Sequence, residues 1–270
     1  MSGRALEDIH GSHPKVIGGA DDASQKAATL VYETITEAEV IPVADVTTAE
    51  CVKVFEGVYR DVNIALANEL ARMADEVGVD VTAAIETANT QPYCDIHSPG
   101  PGVGGHCIPY YPHFLIAEFG TPNPLLETAR SVNDSMPAFT VEKLAEKLDA
   151  AGQSLANSSV LVLGLTYRPG VDETRASPGV DIASILIDRA DAVFAADPVC
   201  SSPPPEGVKR VTVDEVPGLN PDGVVLATAH EEFVSLPDSA FEGATVVDGH
   251  RVLDTNDSTR SMYAIGDGSD

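Results

Sequence analysis

Val54, Val58, Val62, Leu66, Leu70, Met73 and Val77 recur at three- and four-residue steps between Thr47 and Gly78. That spacing returns to one side of an α-helix, so the segment predicts a single unbroken helix. Thr47 with Glu50 three places on reads as a capping box at its start, and Gly78 as its C-terminal stop. A stripe of this length packs against another helix, which can belong to a partner chain. Lys53, Gly57 and Arg60 fall at i, i+4 and i+7 and share a different face, where a lysine is ordinarily a solvated charge.

The rest of the chain is arranged around that helix. Lys15 to Gly19 predicts a short strand, Ala23 to Ala38 a helix and Val40 to Val43 a second strand. One such unit exposes both sheet edges and cannot form a domain by itself. After Gly78, Asp80 caps a helix over Val81 to Asn89, and Pro137 divides the next helical pattern into Pro124 to Ser135 and Ala138 to Ala151. The small, polar stretch Gly152 to Ser158 predicts a linker into a strand–helix region. There, Val160 to Leu165, Phe194 to Asp197, Gly223 to Thr228 and Ala244 to Asp248 predict strands, with a helix over Val180 to Ala190, as in an α/β doubly wound parallel sheet. No Gly-x-Gly-x-x-Gly follows any of these strands. From Asp254 onward the chain is polar and predicts a frayed end.

The 270 residues carry 42 acidic side chains against 16 basic, a net charge of −26, with no acidic block. Acid spread in this way repels polyanions, which excludes nucleic acid and anionic membranes as partners. High ionic strength would screen the self-repulsion, so the balance points to a halophilic source. No apolar run approaches the ~20 residues that cross a bilayer, and the N-terminal segment lacks the apolar centre of a signal peptide. Cys51, Cys94, Cys107 and Cys200 show neither a C-x-x-C pair nor a zinc-like His spacing, which implies no metal and fits reduced thiols in a cytoplasm.

Two stretches carry chemistry. In HSPGPGVGGHCIPYY, Cys107 follows glycines and prolines that let backbone approach a ligand closely, making it a candidate nucleophile; the plainer reading is a turn beside a buried thiol. In VLVLGLTYRPGVDETRASPG, a strand runs into a loop with Arg168 and Arg175 and then a helix N-terminus. Guanidinium forks and free helix amides both suit phosphate. The alternative is that the arginines pair with Asp172 and Glu173.

Three motifs, AECVKVFEGVYRDVNIALANELA, PGPGVGGHCIP and VLVLGLTYRPGVDETRASP, stand in the order found in nucleotide-sugar dehydrogenases of the UDP-glucose/GDP-mannose dehydrogenase family. The GGHCIP and RDVNIALANE forms most resemble the UDP-N-acetyl-D-mannosamine dehydrogenase branch, and the resemblance runs from about Gly3 to about Leu253. It implies the end of an NAD-binding Rossmann domain over 1–45, a central helical dimerisation domain over 46–152, and a Rossmann-like UDP-sugar-binding domain over 153–270.

The activity implied is oxidation of a UDP-sugar C6 alcohol to a carboxylate with two NAD, in a homodimer. Cys107 would form a thiohemiacetal and then a thioester, and Lys53 would stabilise oxyanions. Arg60, Gly104, Gly105, His106, Arg168 and Arg175 would hold the substrate. The sequence departs from the family pattern in three ways. Most of the NAD-binding domain, with its upstream glutamate, is not in this sequence; Tyr111 stands where the family has Asp; and Gly57 stands where it has Asn. The alternative to an enzyme half, whose NAD domain is on a separate chain, is therefore a catalytically dead remnant that binds a UDP-sugar or dimerises.

Overall fold

A computed structural model of the chain describes residues 5–253 and 261–268. They form two compact units, divided between Tyr59 and Arg60.

The first unit opens with a helical turn, α1 (Ala5–Glu7), continued by a π-helical turn over Asp8–Ser12. Strand β1 (Lys15–Ile17), helix α2 (Asp22–Ile35) and strand β2 (Val40–Pro42) follow as predicted, and the strands pair in parallel with Lys15 opposite Val40. Asp21 caps α2 by accepting the Ser24 amide at 2.7 Å. A two-stranded sheet with one helix buries little: no residue of α2 is buried, and Leu30, Val31 and Ile35 are exposed.

Helix α3 (Val46–Val77) is the predicted long helix, but two details differ. Its cap is Asp45, whose carboxylate accepts the Thr48 amide at 2.7 Å, and Thr47 already lies inside the first turn. The apolar stripe is also not the buried side, since Leu66, Met73 and Val77 are 47–67% exposed. The buried row is Gly57, Asp61, Ala65, Asn68 and Ala71, small and polar residues that admit close neighbours and offer them hydrogen bonds. Gly78 ends the helix at a φ of +64°, a left-handed geometry suited to glycine.

In the second unit, Asp80 caps α4 (Val81–Ala88) by accepting the Ala83 amide at 3.0 Å. Residues beyond the Cys107 loop form α5 (Tyr111–Glu118), a short helix not predicted from the sequence. The two helices expected on either side of Pro137 are one, α6 (Pro124–Ala150). Proline in a helix interior costs about 3 kcal/mol. Here Met136, Val141, Leu144 and Leu148, all at 0% exposure, hold both halves of α6 in the core and offset that cost.

The sheet comprises β3 (Ser159–Leu163), β4 (Ala192–Ala196), β5 (Val208–Arg210), β6 (Gly223–Leu226), β7 (Thr245–Asp248) and β8 (Ser261–Ala264). All pairings are parallel, in the order β5-β4-β3-β6-β7-β8, which is the dinucleotide-fold order with β3 and β6 flanking the point where the winding reverses. Val160 and Val162 face α6 and α7 (Pro178–Ile187), while Leu161 and Leu163 face the opposite layer, with Val216 of the helical turn Val213–Gly218 and Phe233 of the short helix α8 (Glu231–Val234). The frayed end expected from Asp254 onward is corrected at Ser261, where β8 adds an ordered strand whose Tyr263 is fully buried. Asp254 to Arg260 lie outside the described residues.

Candidate functional site

The Cys107 loop is suspended between helix side chains upstream and the Arg168–Arg175 loop downstream. Upstream, three asparagines hold it, two by a pair of bonds to its backbone and one by a single bond. Asn63 donates to Asp95 O at 2.7 Å and accepts the His97 amide at 2.8 Å. Asn89 donates to Ile96 O and accepts the Ile96 amide, both at 2.8 Å. Asn68 accepts the Gly100 amide at 2.9 Å and donates to Asn133 Oδ1 of α6 at 2.9 Å. Asn133 in turn donates to Asp61 Oδ1 at 2.9 Å, where Arg130 Nη1 also donates at 2.5 Å. These side chains satisfy backbone groups that a loop would otherwise bury unpaired.

Downstream, the Gly105 amide donates to Arg175 O at 3.0 Å, and His106 Nε2 meets Glu173 Oε2 at 2.8 Å. The Tyr167 amide donates to Glu173 O at 3.0 Å, closing the arginine loop on itself. Gly104 and Gly105 are demanded by this contact. A Cβ on Gly104 would lie 2.6 Å from Ala176 O, and one on Gly105, which sits at φ +98°, 2.9 Å from the Tyr167 ring. Hydrogen bonds from His106 and the Arg175 amide hold the Glu173 carboxyl below the usual range.

Cys107 itself is exposed, which removes the buried-thiol reading, and its carbonyl accepts the amides of Tyr110 and Tyr111 at 3.1 and 2.9 Å in the turn entering α5. Tyr111 is the first residue of α5 and stacks on Phe114 at 5.9 Å. Arg175 is exposed, whereas Arg168 is half-buried with its guanidinium 5.9 Å from the centre of the Tyr167 ring. Glu173 is bonded to His106, and Asp172 accepts the Ser201 amide at 2.8 Å. Arg60 is exposed on α3 at the start of this unit. Lys53 belongs to the first unit, where it pairs with Glu56 at 2.9 Å.

At the carboxyl ends of β3, β4 and β6 lies a buried cluster that the sequence reading missed. Asp197 Oδ2 accepts the amides of Leu165 and Thr166 at 2.8 Å and the Thr166 hydroxyl at 2.9 Å, and His230 Nε2 lies 2.9 Å from that hydroxyl. Burial alone would raise the Asp197 pKa, but His230 and these amides outweigh it and hold the carboxylate well below its ordinary range. The cluster sets the path of the loop that leaves β3 toward Arg168.

Two family models match the chain. Residues 47–135 match the central domain, and residues 161–255 the UDP binding domain, of the UDP-glucose/GDP-mannose dehydrogenase family. The chain belongs to this family. It is 36% identical over 288 residues to a UDP-N-acetyl-D-mannosamine dehydrogenase of Methanocaldococcus jannaschii, covering 99% of this chain and 62% of that protein. Among solved structures it is similar to the UDP-D-ManNAc dehydrogenase of Pyrococcus horikoshii, at 34% identity and a TM-score of 0.88 over 99% of this chain and 63% of that one. The UDP-N-acetyl-mannosamine dehydrogenase of Staphylococcus aureus gives 35% identity and a TM-score of 0.82 over 99% and 62%. This member of the family thus spans about six-tenths of the length of the relatives it matches. Among its described residues, no helix is long and apolar enough to cross a membrane.

Proposed function

We propose that this chain is the substrate-binding, thiol-bearing part of an NAD-dependent UDP-sugar 6-dehydrogenase of the UDP-N-acetyl-D-mannosamine type. One observation carries the reading: the candidate nucleophile's loop is hydrogen-bonded to the arginine loop through Gly105 with Arg175 and His106 with Glu173. A sugar nucleotide anchored by its phosphates at Arg168 and Arg175 would have its sugar within the reach of the same loop pair. The reading divides the chain into 1–45, 46–152 and 153–270, the first being the end of the NAD-binding domain.

In this scheme the Cys107 thiolate adds to the C6 aldehyde, and the carbon oxidised from it remains bound to sulfur as a thioester until water releases the acid. Lys53 balances oxyanion charge. Arg60, Gly104, Gly105 and His106 shape the substrate's surroundings. The described residues do not fit NAD itself: the glycines after β1 are filled by the chain, a Cβ on Gly18 lying 2.2 Å from Asp45 O and one on Gly19 2.4 Å from the Gln25 amide. The hydride steps are assigned to a dinucleotide-binding part, on this polypeptide or another, and the described residues alone do not turn over.

The half-exposed stripe of α3, with Leu66, Met73 and Val77, supports a homodimer through that helix. Four free thiols fit the reducing cytoplasm, and the charge of −26 supports a salt-adapted source. A second reading, a UDP-sugar-binding module without catalysis, is favoured by Tyr111 and Gly57 in place of the family's Asp and Asn.

Calorimetric titration in molar KCl tests the assignment, with UDP-N-acetylmannosamine, UDP-N-acetylglucosamine, UDP-glucose and NAD titrated separately. Saturable UDP-sugar binding without NAD binding is expected. No UDP-sugar binding by the folded chain would contradict it.

A further inference from the structure

Release of an acid from a thioester needs a base to take a proton from water, and Tyr111 is ill-suited. A phenol of reference pKa near ~10 is a poor base at neutral pH, and this one stands at the head of α5 against Phe114. The residue directly before the nucleophile has the arrangement that Tyr111 lacks. His106 is exposed to water, with 42% of its side chain accessible, and its Nε2 is held by Glu173 at 2.8 Å. Glu173 is fixed in turn, since its other carboxylate oxygen accepts the Arg175 amide at 3.1 Å and its carbonyl accepts the Tyr167 amide. Among the described residues, Nδ1 of His106 has no partner. A ring with one nitrogen bonded to a carboxylate and the other open to solvent has its tautomer set: Nε2 carries the proton and Nδ1 is the basic nitrogen.

We propose that His106, oriented by Glu173, is the general base that hydrolyses the Cys107 thioester. This rests on the reading of Cys107 as nucleophile. His106 Nδ1 accepts a proton from water as the water oxygen bonds to the thioester carbonyl carbon. The carbon–sulfur bond then breaks, the electron pair leaves on Cys107 Sγ, and the acid departs. The step involves no oxidation or reduction, so it is tested without the dinucleotide. Glu173 is a positioning residue.

The full chain is treated with p-nitrophenyl acetate. The thiolate takes the acetyl group and expels p-nitrophenolate, and mass spectrometry of the Cys107 peptide then follows loss of acetyl after excess ester is removed. Because only the already acylated thiol is followed, slower acylation does not mask the result. The expected deacylation rate rises with pH, as a base-assisted step does. It falls about 100-fold in H106A, in line with the loss of a general base, and added imidazole restores it in part. E173Q lowers the rate about 10-fold and shifts its pH profile.

Deacylation of H106A at the wild-type rate would overturn the proposal. So would a slower rate that responds to neither pH nor imidazole, which is the signature of a structural role. A wild-type chain that takes no acetyl at Cys107, matching C107S, would overturn the nucleophile reading itself and this proposal with it.

Discussion

Asn68 accepts the amide of Gly100 at 2.9 Å while donating its own amide to Asn133, so one buried side chain on α3 joins the start of the Cys107 loop to α6. Removing it leaves a buried backbone amide and a buried side-chain oxygen unsatisfied, each costing about 1–3 kcal/mol. We expect N68A to lower stability by about 2–4 kcal/mol in urea unfolding. Iodoacetamide should also reach Cys107 faster in N68A. Unchanged stability and alkylation would remove Asn68 from the loop's support.

The same network contains a buried ion pair. Arg130 and Asp61 have side chains 6% and 0% exposed, and breaking such a pair from one side typically costs about 3–5 kcal/mol because the other charge stays buried. R130M should be destabilised by that amount. The double variant D61N/R130M should recover more than 1 kcal/mol of it, since neither charge then remains. Additive losses in denaturant melts would show that the two side chains act separately.

Glycine positions make a contrast. A methyl on Gly104 meets Ala176 O and Tyr167 at 2.6 Å, whereas one on Gly120 meets nothing within 4 Å. G104A is expected to cost about 1–3 kcal/mol, as overpacking does, and to weaken UDP-sugar binding by moving the arginine loop. G120A should stay within about 0.5 kcal/mol of the parent. Equal behaviour of the two in thermal melts would contradict the packing argument.

Asp80 pairs with Arg251 and caps α4, and bonding to the guanidinium lowers its pKa to about 2. A carboxylate depressed in the folded state stabilises it above the unfolded pKa of ~3.9 and loses that contribution as pH falls toward the folded value. D80N keeps a capping side chain and removes the charge. Its deficit should be about 0.5–1 kcal/mol near pH 6, since Asp80 is 39% exposed and screened. The deficit should shrink as pH falls below about 4 and vanish only below about pH 2. A deficit independent of pH in a urea series would refute the linkage.

Long periodic elements were legible in the sequence because their periods are local. The span of α3 and the parallel strands with single-period apolar runs, such as Val160 to Leu163, needed no tertiary knowledge. The side on which α3 is buried was not legible. Its row of Gly57, Asp61, Ala65 and Asn68 is small and polar, so hydropathy pointed to the opposite face. Only Asn63 and Asn68, set among the apolar residues of 62–70, hinted at buried hydrogen bonding. Pro137 misled because local propensity marks a break, whereas packing of Met136 and Val141 decided the outcome. At the site, Cys107 and the two arginines stand out by motif. Glu173, Asp197 and His230 do not, because their partners lie 31 to 67 residues away in sequence.

The most direct test of the account is the rate at which iodoacetamide alkylates Cys107, followed by peptide mass spectrometry in molar KCl with and without saturating UDP-N-acetylmannosamine. If a sugar nucleotide held at the arginine loop places its sugar over the thiol, the nucleotide should slow alkylation of Cys107 at least 10-fold and leave the half-buried Cys51 and Cys94 unaffected. Alkylation of Cys107 at the same rate with and without the sugar nucleotide would contradict the assignment of this loop pair as the substrate site.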